Sequence, residues 1–373
     1  MLLKTIYFDY ISSTISDIIE KNSLENMQEI EKQTKQTTIQ HPLYVRLGGK
    51  LPNFILNKLH LTYQNQQTQT TYDTVDFQYN KMVCLNFLKY CFENKSNLQF
   101  NLDLFEDEQD KEEILQYIWN NLYVALSHHN PPPNGNYKEY RIKYDALVNS
   151  IQQNQDTFTL KIENHQYTLP INHFEMVTFY HNYGIDTLPN HVKQQLAGKD
   201  FIDAGAFIGD TALILNQYKP NKIYAFEPSK TNYQLMQKTL NLNKTTNTIP
   251  IPLALGNKET VSTMFTWENA SFLTDKGSQE VNVTTIDAFQ QKNSLNIGLI
   301  KMDIEGAEYN AIEGAEKTIK QQKPVLIISL YHRGQDFFEI PKILKEWVPT
   351  YKLRFLNLHK VAPVLERVLL AYN

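Results

Sequence analysis

The second half of the chain alternates short apolar runs with segments of helical periodicity. FIDAG (201–205) and KIYAFEP (222–228) each have the character of a buried strand, and each is followed by apolar positions at helical spacing. Further strand-like runs are IPIPLAL (249–255), NIGLIKMDIEG (296–306), PVLIISLYH (324–332), YKLRFLNL (351–358) and ERVLLAY (366–372). Strands that alternate with helices are typical of a parallel, doubly wound sheet. The pattern therefore predicts an α/β domain, and the last two runs predict a terminal strand pair.

The first half follows a different pattern. Apolar positions at helical spacing predict helices over residues 2–33, 75–92, 110–127 and 137–152. Strict alternation over 158–169 predicts a β-hairpin, and a short helix is expected over 172–183, ending at Gly184. We therefore divide the chain into a mainly helical N-terminal region, residues 1–195, and an α/β domain, residues 196–373.

Composition narrows the class of protein. The formal net charge is −4, so the basic surplus of most nucleic-acid-binding domains is missing, and no nucleic-acid partner is predicted. No apolar run approaches the roughly 18 residues that a membrane span needs. Asp9 and Asp17 lie where a secretory signal would be apolar. These features predict a cytoplasmic protein, and they leave its oligomeric state open.

The end of the first strand has the composition of a ligand-binding turn. Gly205 permits a tight turn, and Gly209 lets the next helix begin close to the sheet. The glycine spacing is GxxxG rather than the GxGxxG of dinucleotide-binding proteins. Asp203 would repel a pyrophosphate, whereas it suits a cationic ligand such as S-adenosylmethionine (SAM). The alternative is a plain strand–turn–helix junction.

The second strand ends at Glu227. An acid roughly 20 residues after a glycine turn is where such folds hold a ribose through its hydroxyls. Together with the glycine turn, Glu227 indicates a nucleoside-type ligand, although a lone glutamate can also be a solvated strand end.

Acidic residues and a histidine follow the next two strands. Asp303, Glu305 and Glu308 lie within a short loop, and His332 ends the following strand. Asp303 and Glu305 could hold a hydroxyl, act as a base or bind a divalent ion, and Lys301 could neutralise Asp303. The alternative is a set of helix N-terminal acids, favoured by the helix dipole, beside a structural histidine.

Several of these motifs, in this order, resemble the FkbM-type SAM-dependent methyltransferases. The motifs are DAGAFIGD, YAFEP, ALG, VTTIDAF, KMDIEGAE and SLYHRGQDFFEIP. The resemblance covers the chain from about residue 196 and implies a class I methyltransferase fold, a Rossmann-like sheet of seven strands whose last strand is antiparallel. It also implies methylation of a hydroxyl, in a macrolide or in a sugar of a bacterial surface polysaccharide.

The resemblance and the local chemistry together define the expected site. The expected SAM-binding residues are Asp203, Gly205, Ala206, Gly209, Asp210, Glu227 and Leu255, of which Leu255 would line the adenine. The expected catalytic residues are Asp303, Glu305 and His332, and no metal is assigned. The predicted function is O-methylation of a small-molecule or glycan acceptor in surface polysaccharide biosynthesis. Two alternatives stay open: an NAD-dependent oxidoreductase or epimerase, and a non-catalytic scaffold with a degenerate methyltransferase domain.

Overall fold

The computed structural model describes residues 74–94, 98, 100, 102–127, 137–267, 270–274, 279–360 and 362–373. The predicted helix over residues 2–33 lies outside this range. The α-helices are α1 (Thr74–Glu93), α2 (Glu108–Ser127), α3 (Tyr137–Ser150), α4 (Met176–Phe179), α5 (Asn190–Gln195), α6 (Asp210–Leu215), α7 (Lys230–Leu242), α8 (Ile286–Asn293), α9 (Glu308–Glu313), α10 (Glu316–Gln322) and α11 (Gly334–Trp347).

The strands form three sheets. In chain order they are β1 (Gln152–Asn154), β2 (Thr157–Ile162), β3 (His165–Leu169), β4 (Asp200–Ala204), β5 (Ile223–Phe226), β6 (Thr248–Ile251), β7 (Ala254–Leu255), β8 (Thr260–Trp267), β9 (Ala270–Thr274), β10 (Gln279–Thr284), β11 (Ile297–Met302), β12 (Val325–Ser329), β13 (Lys352–Asn357) and β14 (Arg367–Tyr372). The predicted hairpin is β2–β3, which β1 extends to three strands.

The central sheet has seven strands in the order β13-β14-β12-β11-β4-β5-β6. β14 is antiparallel to both of its neighbours, and the pairs from β12 to β6 are parallel. Every residue of β4, β5 and β12 is buried, as expected for parallel strands covered on both faces. The predicted α/β class, the seven strands and the antiparallel last strand are confirmed.

A second sheet of four strands, β7-β10-β8-β9, was not predicted. The sequence pattern treats 249–255 as one strand, which is wrong, because β6 belongs to the central sheet and β7 to the small one. Pro252 lies between them, and a proline cannot donate the N–H that a continuous ladder would need. Pro250 is tolerated within β6 because β6 is an edge strand.

The segment before β4 also differs from the prediction. A helix over 172–183 was expected, but α4 is a single turn, and a 3₁₀ segment follows over Asn182–Thr187. α4 already ends at Phe179, and Tyr183 and Gly184 have positive φ angles of 49° and 79° within the 3₁₀ segment, so a regular helix could not continue to residue 183. A Cβ on Gly184 would lie 2.4 Å from Leu356 Cδ1, so a larger residue would require the Leu356 side chain of β13 to shift as well as a strained backbone.

The N-terminal helices pack directly onto the sheet. α1 contacts α11, and α2 contacts β13. The ring of Phe337 in α11 lies 5.6 Å from Phe87 and 5.0 Å from Tyr117, between centroids. Asp110 of α2 accepts hydrogen bonds from the Arg354 side chain at 2.6 Å and from a backbone N–H of β13 at 3.1 Å. The predicted helices over 75–92, 110–127 and 137–152 are thus present, and the first two share one apolar core with the sheet. Among the described residues, no helix combines the length and apolar character that a bilayer crossing requires.

Candidate active site

The turn after β4 packs against the end of β11. Gly205 and Gly209 have φ angles of 75° and 82°, and Phe207 between them has a φ of 45°. A Cβ on Gly205 would lie 1.8 Å from the backbone oxygen of Asp303. The Asp303 N–H in turn donates to the Ala204 oxygen at 3.1 Å. The glycine turn and the Asp303 loop therefore form one rigid junction.

A comparison of Gly205→Ala with Gly198→Ala should separate the loss of unfolding free energy that this contact causes from the loss that a positive φ causes. Gly198 provides the control, because its φ is 74° but nothing lies within 4 Å of its Cβ position. We expect both variants to lose about 1–2 kcal/mol for the left-handed backbone. Gly205→Ala should lose about 1–3 kcal/mol more for overpacking, as measured by urea unfolding. Equal losses in the two variants would contradict the tight junction.

Glu227 connects the end of β5 to the same turn. Its Oε2 accepts a hydrogen bond from the Phe207 N–H at 2.9 Å, and its Oε1 accepts one from the Ser229 N–H at 2.8 Å. The side chain is buried, and burial raises its pKa to about 7 despite these hydrogen bonds. Glu227 is therefore a desolvated carboxyl group at the switch point of the sheet.

A buried ion pair lies beneath the glycine turn. Lys301 Nζ lies 3.3 Å from Asp203 Oδ1 and donates to the Gly205 oxygen at 2.8 Å. Both side chains are almost completely buried, and burial raises the pKa of Asp203. Lys301 also lies 5.2 Å from the ring centroid of Tyr183. The lysine thus supplies a positive charge among several carboxyl groups, as its alternation with Asp303 suggested.

His332 lies among three carboxylates. Its Nδ1 is 2.9 Å from Glu308 Oε1, and its Nε2 is 3.3 Å from Glu305 Oε2 and 3.6 Å from Asp303 Oδ1. Burial alone would lower the pKa of His332, but Glu308 and Glu305 hold that pKa well above its usual value. The three predicted catalytic residues therefore meet at one point.

Two tyrosines hold Asp303 from either side. The Tyr183 hydroxyl donates to Oδ2 at 3.3 Å, and the Tyr331 hydroxyl lies 3.4 Å from Oδ1. Tyr331 also lies 3.3 Å from Glu366 Oε1, at the start of β14. Burial raises the pKa of Asp303. Asp303 is thus an oriented carboxyl group whose side chain remains 18% exposed.

The remaining predicted cofactor residues occupy different surroundings. The Ala206 N–H donates to the Phe226 oxygen at 2.9 Å, and Asp210 is the first residue of α6. Burial raises the pKa of Asp210 to about 6, and the nearby His173 opposes this shift. Leu255 is only 3% exposed within the main apolar core, so it offers little surface to a ligand.

Sequence reasoning missed several residues that the fold brings to this site. They are Tyr183, Tyr331, Glu366, His173 and Glu308. Glu308 does lie in the first turn of a helix, as the alternative interpretation expected, but that interpretation did not predict that its side chain is completely buried against His332. His173 lies 4.9 Å from the Phe207 ring of the glycine turn and carried no local signal.

The family comparison agrees with this geometry. Residues 203–351 match the family model described as the methyltransferase FkbM domain. This range contains the glycine turn, Glu227 and the His332 cluster. The match lies in the C-terminal half of the chain, so the predicted resemblance to the FkbM-type methyltransferases is confirmed.

Solved structures give further matches of limited extent. A methyltransferase FkbM from Methylobacillus flagellatus is 24% identical with a TM-score of 0.37, and the match covers 47% of this chain and 44% of that one. TYW2 of M. jannaschii in complex with AdoMet is 16% identical with a TM-score of 0.31, over 59% of this chain and 87% of that one.

A Pyrococcus abyssi tRNA (uracil-54, C5)-methyltransferase in complex with S-adenosyl-L-homocysteine is 12% identical with a TM-score of 0.33, over 59% and 44% of the two chains. The chain thus spans less than half the length of the Methylobacillus protein. No curated protein sequence matches it at a significant level. The expected absence of a nucleic-acid partner has no support from the comparisons.

Proposed function

We propose that the chain is a SAM-dependent O-methyltransferase. The observation that carries this proposal is the hydrogen-bonded junction of Glu227 with the Phe207 N–H, which joins the glycine turn to the end of β5 within a methyltransferase domain. A ligand of nucleoside type binds such folds beyond the carboxyl ends of the strands, at the switch point.

The charges of the site fit SAM. Burial raises the pKa of Asp203, Asp210, Glu227 and Asp303, so desolvated carboxyl groups outnumber the cations available to them. A ligand with a sulfonium and an ammonium group relieves this excess, whereas a pyrophosphate would add to it. This charge balance favours SAM over NAD, and the intact site favours an enzyme over a scaffold.

Each predicted residue then has a role that its position allows. The turn from Gly205 to Gly209, with Asp203 beneath it, would face the methionine portion of SAM, and Glu227 would accept hydrogen bonds from the ribose hydroxyls. Bound SAM supplies an electrophilic methyl group. Asp303 would orient the acceptor hydroxyl and accept its proton on a carboxylate oxygen. Tyr183 and Tyr331 hold that carboxylate in place, and Glu308 fixes His332 beside it.

We propose a saccharide hydroxyl as the acceptor. The site carries hydroxyl and carboxyl groups that suit a polyhydroxylated ligand, since Tyr331 and Glu366 can exchange hydrogen bonds with hydroxyls. Tyr183 belongs to residues 1–195 and contacts Asp303, which supports a role of the N-terminal region in acceptor recognition. Methylation of RNA is the competing outcome of any acceptor assay.

Glu227→Ala should weaken SAM binding by about 1–3 kcal/mol, because a hydrogen-bonding partner of the ribose is lost. Isothermal titration calorimetry with SAM measures the effect, and NAD should give no heat. Glu316→Ala is the control, because Glu316 is a half-exposed carboxylate on α10. Equal SAM affinity in the wild type and Glu227→Ala would refute the assignment.

The pH dependence of SAM binding provides a second test of the role proposed for Glu227. Its pKa of about 7 means that the free protein ionises this carboxyl group only as the pH rises through neutrality. If the ionised form accepts the ribose hydroxyls, SAM affinity should rise on the order of tenfold from about pH 6 to pH 8. Glu227→Gln should flatten this rise, because its amide does not titrate.

A further inference from the structure

The His332 ring has one nitrogen whose partner is unambiguous. Glu308 Oε1 accepts the Ile304 N–H at 2.8 Å and lies 2.9 Å from His332 Nδ1. An ionised carboxylate is only an acceptor, so Nδ1 carries a proton and donates it. The neutral ring therefore has its lone pair on Nε2.

That lone pair faces negative charge. Nε2 is buried and has no hydrogen-bond partner among the described residues, although Glu305 Oε2 and Asp303 Oδ1 lie 3.3 and 3.6 Å away. A lone pair directed at two carboxylates is repelled unless something positive lies between them. A proton on Nε2, which the neighbouring carboxylates favour, is one solution, and a divalent cation bound to Nε2 and the two carboxylates is the other.

From this geometry we propose that Asp303, Glu305 and His332 Nε2 bind a divalent transition-metal ion, with Glu308 as a positioning residue. Metal–nitrogen and metal–oxygen bonds of about 2.0–2.2 Å place adjacent ligands about 3.0–3.5 Å apart. The two separations from Nε2 are close to this range. Among the described residues, the group whose ligand atoms all lie within 4.8 Å of one another is Asp303, Glu308 and His332, so Glu308 belongs to the same cluster as two of the proposed ligands.

The donor set defines the class of ion. Imidazole suits Zn²⁺ and other later transition metals, and carboxylates suit Mn²⁺ and Mg²⁺. One imidazole with two carboxylates fits an ion that accepts both, such as Mn²⁺ or Zn²⁺. Glu308 provides the carboxylate–histidine contact that fixes the ring orientation of metal-ligating histidines. An acceptor hydroxyl bound to such an ion would be a stronger acid than a free one.

The test uses the full chain without SAM, so that its outcome is independent of methyl transfer. Mn²⁺ alone is titrated, and the loss of the free-ion signal is followed by electron paramagnetic resonance, with Zn²⁺ as competitor. We expect saturable binding that Zn²⁺ displaces. His332→Asn and Glu305→Gln should each weaken Mn²⁺ binding at least about tenfold, and Glu308→Gln about 10–100-fold.

A control variant and a check of folding accompany the Mn²⁺ titration. His165→Asn removes an exposed imidazole on β3 and should leave Mn²⁺ affinity unchanged. His332 is buried, so circular dichroism checks the fold of that variant. If His332→Asn misfolds, Glu305→Gln decides, because the Glu305 side chain is 26% exposed. Absence of Mn²⁺ and Zn²⁺ binding at millimolar concentration, or equal affinity in Glu305→Gln, would overturn the proposal and leave a proton on Nε2.

Discussion

Asp303→Asn is expected to lower the rate of methyl transfer by about 10²-fold or more, the low end of the contribution of general-base catalysis. The amide has nearly the shape of the carboxylate. Its oxygen can still accept a hydrogen bond from one of Tyr183 and Tyr331, and its NH2 can donate to the hydroxyl oxygen of the other, so the local structure should persist. It cannot accept the proton of an acceptor hydroxyl. SAM affinity should remain near that of the wild type, which calorimetry would establish.

The assay for this variant follows labelled methyl from SAM into cell-surface glycan precursors. Asp156→Asn is the control, because Asp156 is exposed in the turn between β1 and β2 and undergoes the same chemical change. Full activity of Asp303→Asn would exclude it as the base. Label found only in RNA or protein would instead overturn the proposed acceptor class. The role of Asp303 would then be tested with the same variant on that acceptor.

The central sheet could be predicted because its signal is local. Parallel strands buried on both faces appear as continuous apolar runs, and β4, β5 and β12 show such runs. The small sheet gave no comparable signal. β7 has two residues, and in β10 only half of the positions are buried, so neither resembles a core strand.

The site shows the same contrast between local and non-local information. Asp203, Glu227, Asp303 and His332 follow parallel strands, and parallel strands bring their carboxyl ends to one edge. Tyr183 contacts Asp303, and Glu366 contacts Tyr331, but neither Tyr183 nor Glu366 follows a parallel strand. Tyr183 depends on a positive φ in the 3₁₀ segment, and Glu366 depends on the antiparallel insertion of β14 between β12 and β13. Neither feature can be read from residue spacing.

The burial of Glu308 has a similar origin. On sequence grounds an acid in the first turn of a helix is most simply explained by the helix dipole. In the fold, α9 begins beside the end of β12, and the carboxylate is enclosed between the Ile304 N–H and His332. The contact joins the start of α9 to the residues after β12, and its two residues are 24 positions apart in the chain.

Lys301→Met is expected to destabilise the protein by about 3–5 kcal/mol, because Asp203 would keep a buried carboxyl group without its cation. The exposed pair Lys320–Glu316 provides the control, since each of its side chains is 44% exposed. Lys320→Met should cost no more than about 1 kcal/mol. Urea unfolding of the protein without SAM measures both variants.

The double variant Lys301→Met/Asp203→Asn tests the cause of this loss. It removes the isolated charge, so it should recover part of the stability that Lys301→Met loses.

The pH dependence has a definite sign. In Lys301→Met the folded-state pKa of Asp203 is raised further above its unfolded value, since burial already raises it and the cation is gone. The deficit should therefore be small below the ordinary aspartate pKa, grow as the pH rises towards the folded-state value, and level off above it. If Lys301→Met lost no more unfolding free energy than Lys320→Met at neutral pH, the ion pair of Lys301 and Asp203 would not stabilise the glycine turn.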